Sequence, residues 1–157
     1  MTSTRRTSAA IAVAVVVADQ ITKHWALNRL SGGRTIDILG SLRFNLSFNS
    51  GMAFSQGKGL GPLIAIVGVV VVAFLLVGLR RNTPSGAVFV GLVAGGAAGN
   101  IVDRAFRGDA WLRGAVVDFI DLQWWPIFNI ADAAICVGGV LLVLSSLRQE
   151  KSETENT

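Results

Sequence analysis

The sequence predicts an all-α integral membrane protein, a bundle of four transmembrane helices with a small extracytoplasmic antiparallel β-sheet between helices 1 and 2. Three observations predict it. Mean hydropathy is +0.57, with 52% hydrophobic and 15% charged residues, a balance foreign to ordinary soluble domains. Apolar runs long enough to cross a hydrocarbon core of ~30 Å, which takes about 20 helical residues, recur along the chain. Between the first two runs, one segment alternates apolar and polar residues with a period of two. The 157 residues form one domain, 1–157.

The first span, at about 8–27, is interrupted by Asp19 and Lys23. These are i, i+4 on a helix and can pair on one face. The rival reading is a cleaved signal peptide, with Arg5-Arg6 as its basic region and an apolar run from Ile11 to Ala18. No small-x-small cleavage pattern follows the acidic break, and three further spans lie downstream, so the segment is read as a retained helix.

Next, Leu42, Phe44, Leu46 and Phe48 alternate with Arg43, Asn45, Ser47 and Asn49, the pattern of a half-buried strand. Asn49-Ser50-Gly51 supplies turn chemistry. Residues 60–79 contain no charge and give the second span; 85–103 give the third. Gly91, Gly95 and Gly99 form a smooth stripe on that third span, read as a close helix contact, with a track for a sliding helix as the alternative. The fourth span, 126–147, carries Asp132 as its one charge. The polar end, 149–157, reads as a disordered tail.

Charge and composition exclude several functions. The net charge of +4 comes from basic residues scattered at segment ends, without the clustered run that nucleic acid requires. One cysteine, Cys136, excludes an internal disulfide and is read as a small core residue. One histidine, His24, argues against a multi-histidine metal site or a Ser-His-Asp triad. Arg5, Arg6, Arg80, Arg81, Arg148 and Lys151 fall at span ends on one side, which the positive-inside rule makes cytoplasmic. Trp25, Trp111, Trp124 and Trp125 fall on the other side, where indoles anchor at headgroups.

The acids point to chemistry. Asn100-Ile-Val-Asp103 and Asn129-Ile-Ala-Asp132 each set an amide and an acid three residues apart, on one face if helical. A carboxylate in an apolar span is a functional candidate by default. Asp118 lies on the connection between those helices, and this topology gathers Asp19, Asp103, Asp118 and Asp132 beneath the outer headgroups. Asp19 reads as structural because Lys23 neutralises it. Asp103, beside Arg104 and on the face of Asn100, reads as scaffold. Asp132 has no cation within a helical turn, and Asp118 sits in a Val-Val-Asp-Phe-Ile run. Two such acids with coupled titrations are the raw material of an aspartic protease dyad. Residue chemistry alone leaves Asp103 and Asp118 both open as the partner of Asp132. Asp37, Asp109 and Asp121 read as ordinary loop carboxylates.

Five blocks together resemble the lipoprotein signal peptidase family, the type II signal peptidases of bacteria. They are Asp19-Gln20-Ile21-Thr22-Lys23, Asn49-Ser50-Gly51-Met52-Ala53-Phe54, the stretch from Gly95 through Asn100 to Asp103-Arg104, Val116-Val117-Asp118-Phe119-Ile120, and Phe128-Asn129-Ile130-Ala131-Asp132. The resemblance implies a membrane aspartic endopeptidase that removes signal peptides from diacylglyceryl-modified prolipoproteins just before the lipid-modified cysteine. It implies Asp118 and Asp132 as the catalytic pair, with Asp19, Lys23, Asn49, Gly51, Asn100, Asp103, Arg104 and Asn129 as supporting or substrate-binding positions. It also implies no metal and no cofactor, contact with membrane lipids, a monomer, and a multi-pass location in the bacterial inner membrane. Both termini would be cytoplasmic and the active site would lie near the extracytoplasmic face. The alternative, a small proton- or cation-coupled transporter, would spread its carboxylates along a path rather than gather them at one depth.

Overall fold

The computed structural model describes residues 3–50, 83–108 and 112–155. In chain order these form α1 (Ser3–Leu30), β1 (Thr35–Leu39), β2 (Leu42–Asn49), α2 (Pro84–Phe106), β3 (Val116–Asp121) and α3 (Ile130–Glu155). The span expected at 60–79, Gly51 and Trp111 lie outside the described residues.

Helix α1 runs past both ends of its predicted span. Its buried residues Asp19, Lys23, Ala26 and Leu30 repeat at alternating spacings of four and three, which makes one stripe along the helix. Val13, Val17 and Ile21 lie on the exposed face, as expected of a surface turned to lipid. Helix α2 starts one residue early because Thr83 caps it: its side-chain oxygen accepts the Gly86 N–H at 3.2 Å, and Pro84 occupies the first turn.

The glycine stripe is a helix contact. A methyl group added at Gly91 would lie 2.7 Å from Ile11 Cβ, and one at Gly95 would lie 2.7 Å from the Ala12 carbonyl oxygen. Helix α1 covers this surface, so the sliding-track alternative is overturned. Gly96 opens the neighbouring face to Ala131 and Ile135 of α3. In the α1–α2 contact, Ser8 meets Ala87 and Gln20 meets Asp103. Residue numbers rise together, so α1 and α2 run parallel. Against α3 they run in opposite senses: Gly96 meets Ala131, while Gly138 meets Phe89 and Leu92.

The sheet differs from the one expected between helices 1 and 2. It has three antiparallel strands in the order β1-β2-β3, and β3 comes from the connection between α2 and α3. Phe44 opposes Ile120 and Ser47 opposes Asp118. Ala26, Leu30 and Phe119 form a buried cluster with Phe44, Leu46, Ile120 and Ile130 packed on it. The sheet therefore sits on the C-terminal end of α1, with Trp25 edge-on to Phe44 at 5.1 Å.

Helix α3 begins at Ile130 rather than 126, because Phe128 is held in extended pairing by the Ile120 N–H and carbonyl. It continues to Glu155, into the tail expected to be disordered. Arg148, Gln149, Glu150 and Lys151 are all good helix formers, which a reading by polarity alone overlooks.

Candidate active site

Where α1, α2, β3 and α3 meet, the acids separate into two groups. The first surrounds Lys23. Its Nζ lies 2.8 Å from Asp19 Oδ2 and 2.8 Å from Asp103 Oδ2, and all three side chains are fully buried. Gln20 Nε2 donates to Asp103 Oδ1 at 3.0 Å, and Arg107 Nε donates to the same oxygen at 2.7 Å. The Val117 N–H donates to Asp103 Oδ2 at 3.1 Å. Asp103 is thus a three-way junction tying α1, α2 and β3. Asp19 ties in a fourth element, since its Oδ1 accepts the Ala131 N–H of α3 at 3.0 Å.

The second group is Asp118, Asn129, Asn100 and Asp132. Asn129 Nδ2 donates to Asp118 Oδ1 at 2.6 Å and to Asn100 Oδ1 at 3.2 Å. Asn100 Nδ2 donates to Asp132 Oδ1 at 2.8 Å. The Asn129 side-chain oxygen accepts the Asp132 N–H at 2.9 Å, and Asp132 Oδ2 accepts the Asn129 N–H at 3.2 Å. This is a reciprocal capping box at the N-terminus of α3. The second Asn-x-x-Asp is therefore a helix start, and Asn129 stands outside the helix whose face it was expected to share. The cap places Asp132 in the first turn, where the helix dipole favours a carboxylate.

Asp118 is buried on β3. Burial, and next the charge of Asp132, push its carboxyl up to about 7, against hydrogen bonds from Asn129 and Asn49 and the Lys23 charge. Arg104 is buried and lies within electrostatic reach of Asp118, Asp103 and Asp132. Asp103 is ion-paired by Lys23 and Arg107.

Asp118 and Asp132 both line one open groove of about 750 Å³. Its lining also includes Asn49, Trp125, Phe128 and Ile135, so the two carboxylates share a largely apolar groove. Cys136 also lines it and is exposed, which corrects its expected core placement: it lies on the groove side of α3. Asp121 is not a loop carboxylate. It is buried at the end of β3, accepting from Arg43 Nε at 2.8 Å, Asn45 Nδ2 at 3.1 Å and the Gln123 N–H at 2.7 Å. Burial opposes its ionisation, but these donors hold its carboxyl below the usual range.

Sequence reasoning assigned no role to Gln20, Arg107 or Asp121. Arg107 was within reach: it stands i+4 from Asp103, the same spacing that identified Asp19 with Lys23. Among the described residues, no three His, Cys, Asp or Glu side chains gather into a metal-ligand set.

This geometry has counterparts. A family model described as signal peptidase (SPase) II matches residues 11–148. The lipoprotein signal peptidase of Mycobacterium leprae (strain Br4923) is 40% identical over 139 residues, covering 87% of this chain and 69% of that protein. The lipoprotein signal peptidase of Rhodococcus jostii (strain RHA1) is 40% identical over 139 residues, covering 87% of this chain and 70% of that protein. Two solved structures, each described as a bacterial membrane enzyme obtained by the in meso method, are similar in fold. The first has a TM-score of 0.81 at 29% identity, covering 93% of this chain and 90% of its own. The second has a TM-score of 0.75 at 30% identity, covering 90% of this chain and 92% of its own. The chain is a bacterial membrane protein and belongs to the signal peptidase II family of aspartic peptidases.

Proposed function

We propose that this chain removes signal peptides from diacylglyceryl-modified prolipoproteins, hydrolysing the bond just before the lipid-modified cysteine, with Asp118 and Asp132 as its catalytic pair. The observation that carries this reading is the pairing of these two acids in one groove. They are linked through Asn129, while Asp19 and Asp103 are neutralised around Lys23. The pair holds one proton. The ionised member takes a proton from water as the water oxygen attacks the scissile carbonyl carbon, and the protonated member donates to the carbonyl oxygen. On collapse of the gem-diol intermediate the C–N bond breaks: the carboxyl that took the water proton gives it to the leaving amine, and one gem-diol hydroxyl returns its proton to the other carboxylate as the C=O reforms, which restores the singly protonated pair. Asn49 and Asn100 orient the carboxyls or hold substrate backbone, and the family resemblance adds Gly51 and Arg104 as supporting positions.

The parallel course of α1 and α2 supports a four-span topology. Two consecutive parallel spans require the chain to recross the membrane between them, and 60–79 is the charge-free run in that interval. Basic span ends then put both termini in the cytoplasm. The exposed indoles of Trp25, Trp124 and Trp125 support the reading that this end lies at the extracytoplasmic headgroup level. The chain is read as a monomer.

The test is to incubate the full-length protein, in lipid bilayers, with a lipidated prolipoprotein and map the product N-terminus by mass spectrometry. Cleavage immediately before the lipidated cysteine is expected. Cleavage elsewhere, or none, contradicts the reading.

A further inference from the structure

Lys23 sits fully buried in the molecule, yet its ion pairs leave one of its three donors for a neutral group. An ammonium has three N–H donors and no acceptor. Two go to Asp19 and Asp103, and the third reaches Asn100 Oδ1 at 3.0 Å. Asn100 must therefore turn its oxygen toward Lys23. Asn129 Nδ2 donates to that same oxygen at 3.2 Å. With its oxygen fixed, Asn100 has its NH2 group directed away, onto Asp132 Oδ1 at 2.8 Å. The other oxygen of Asp132 accepts the Asn129 N–H at 3.2 Å. Asp132 is thus held through both of its oxygens.

We infer that Lys23 is a positioning residue: it fixes the Asn100 amide so that its NH2 group, and not its oxygen, faces Asp132 of the pair. This rests on the reading of Asp118 and Asp132 as the catalytic pair. The role differs from that of a buried ion pair that only holds helices together. It acts through one amide whose reversed orientation would set an oxygen against Asp132. The charged groups facing this relay are Asp19 on α1, Asp103, Arg104 and Arg107 on α2, and Asp118 on β3.

The experiment follows kcat and KM against pH for the full chain in bilayers, with a lipidated prolipoprotein. Asn100→Asp preserves shape but replaces the donor facing Asp132 with an oxygen. The acid limb of kcat is expected to move up by about one pH unit or more. The rate at the original optimum falls roughly tenfold, while KM stays within about twofold. Lys23→Met moves the limb in the same direction, and so does Lys23→Met with Asp19→Asn, which limits the uncompensated buried charge. In an Asn100→Ala background, removing Lys23 moves the limb no further, because its route to Asp132 is already gone. An unmoved acid limb in Asn100→Asp overturns the inference. So does a Lys23→Met shift of equal size with and without Asn100, which is the signature of a bare charge effect. Should neither Lys23 variant fold, as judged by thermal unfolding, the Asn100→Asp profile decides alone. Failure of the underlying pair is separate: it shows as retained cleavage in Asp118→Asn or Asp132→Asn, whatever Asn100 does.

Discussion

Asn129 and Asp132 cap one another at the start of α3. The amide oxygen accepts the Asp132 N–H at 2.9 Å and the carboxylate accepts the Asn129 N–H at 3.2 Å. The same Asn129 side chain holds Asp118 through its Nδ2 at 2.6 Å. One residue therefore terminates a helix and sets the spacing between two acids from different elements. Asn129→Ala removes both functions. The expected result is a loss of about 1 kcal/mol or more of stability from the cap, together with a fall in kcat larger than Asp37→Asn causes. Thermal unfolding and cleavage rate measured on the same preparation check it.

The elevated titration of Asp118 makes activity pH-dependent with a defined sign. Its carboxyl is pushed up to about 7, so its proton is held below that value and lost above it. Cleavage should decline above about pH 7, approaching tenfold per unit on the limb. The cause includes the Asp132 charge, so Asp132→Asn should lower the Asp118 midpoint. Infrared titration of the protonated carboxyl band reads it directly, and an unchanged midpoint in that variant rules out the coupling.

Asp121 is predicted to be a stability residue. Removing its charge weakens the Arg43 and Asn45 contacts that join β2 to β3 and the Gln123 contact in the turn after β3, so Asp121→Asn should cost about 1–3 kcal/mol. Its carboxyl is held below the usual range. Its contribution is therefore fully present above the ordinary carboxylate value of 3.8 and is lost as pH falls through the lower folded value. Melting temperature against pH, compared between the wild-type and variant proteins in detergent, should show the gap closing only in acid.

The glycines of the helix contact differ from those at its margin. Gly95→Leu would drive a side chain into the Ala12 backbone, 2.7 Å from where its Cβ would lie. It should prevent α1 and α2 from closing. At Gly139 an added Cβ meets nothing within 4 Å, so Gly139→Ala should be tolerated and can gain up to about 1 kcal/mol of helix propensity. Expression in the membrane fraction and thermal unfolding separate the two.

Lipid recognition and metal independence are testable together. Each buried methylene contributes ~0.8 kcal/mol, so acyl chains in the groove can dominate binding. A prolipoprotein lacking the diacylglyceryl group should be cut far more slowly, and EDTA should leave both rates unchanged. Equal rates for the two substrates remove lipid recognition from the account, and loss of activity in EDTA removes the metal-free pair.

The helices and the acids were legible because their signals are local. Apolar length announced α1 and α2, and the i, i+4 rule identified the Asp19–Lys23 pair. Period-two alternation found β2. What sequence missed depended on long-range pairing. Strand β3 became visible only where Asp118 and Val117 met Ser47 and Phe48 across the sheet. Asp121 looked like a loop acid because Arg43 and Asn45 lie far from it along the chain. The two Asn-x-x-Asp motifs are identical in spacing but differ in role. Asn100 lies inside α2, whereas Asn129 precedes α3, because Phe128 is held by Ile120 in an extended pairing that no local pattern encodes. The choice of Asp118 over Asp103 came from family resemblance, not from residue chemistry. The ion pairs of Asp103 with Lys23 and Arg107 supply a physical reason for it.

The central claim is that Asp118 and Asp132 together perform the hydrolysis. The most direct measurement is the cleavage rate of a lipidated prolipoprotein by Asp118→Asn, Asp132→Asn and Asp37→Asn, each confirmed to insert and to melt like the wild-type protein. An amide cannot cycle a proton, so the first two should lose activity by about 10²–10⁴-fold or more, while Asp37→Asn, at an exposed position on β1, cleaves at close to the wild-type rate. Near-normal cleavage by either Asp118→Asn or Asp132→Asn would contradict the account.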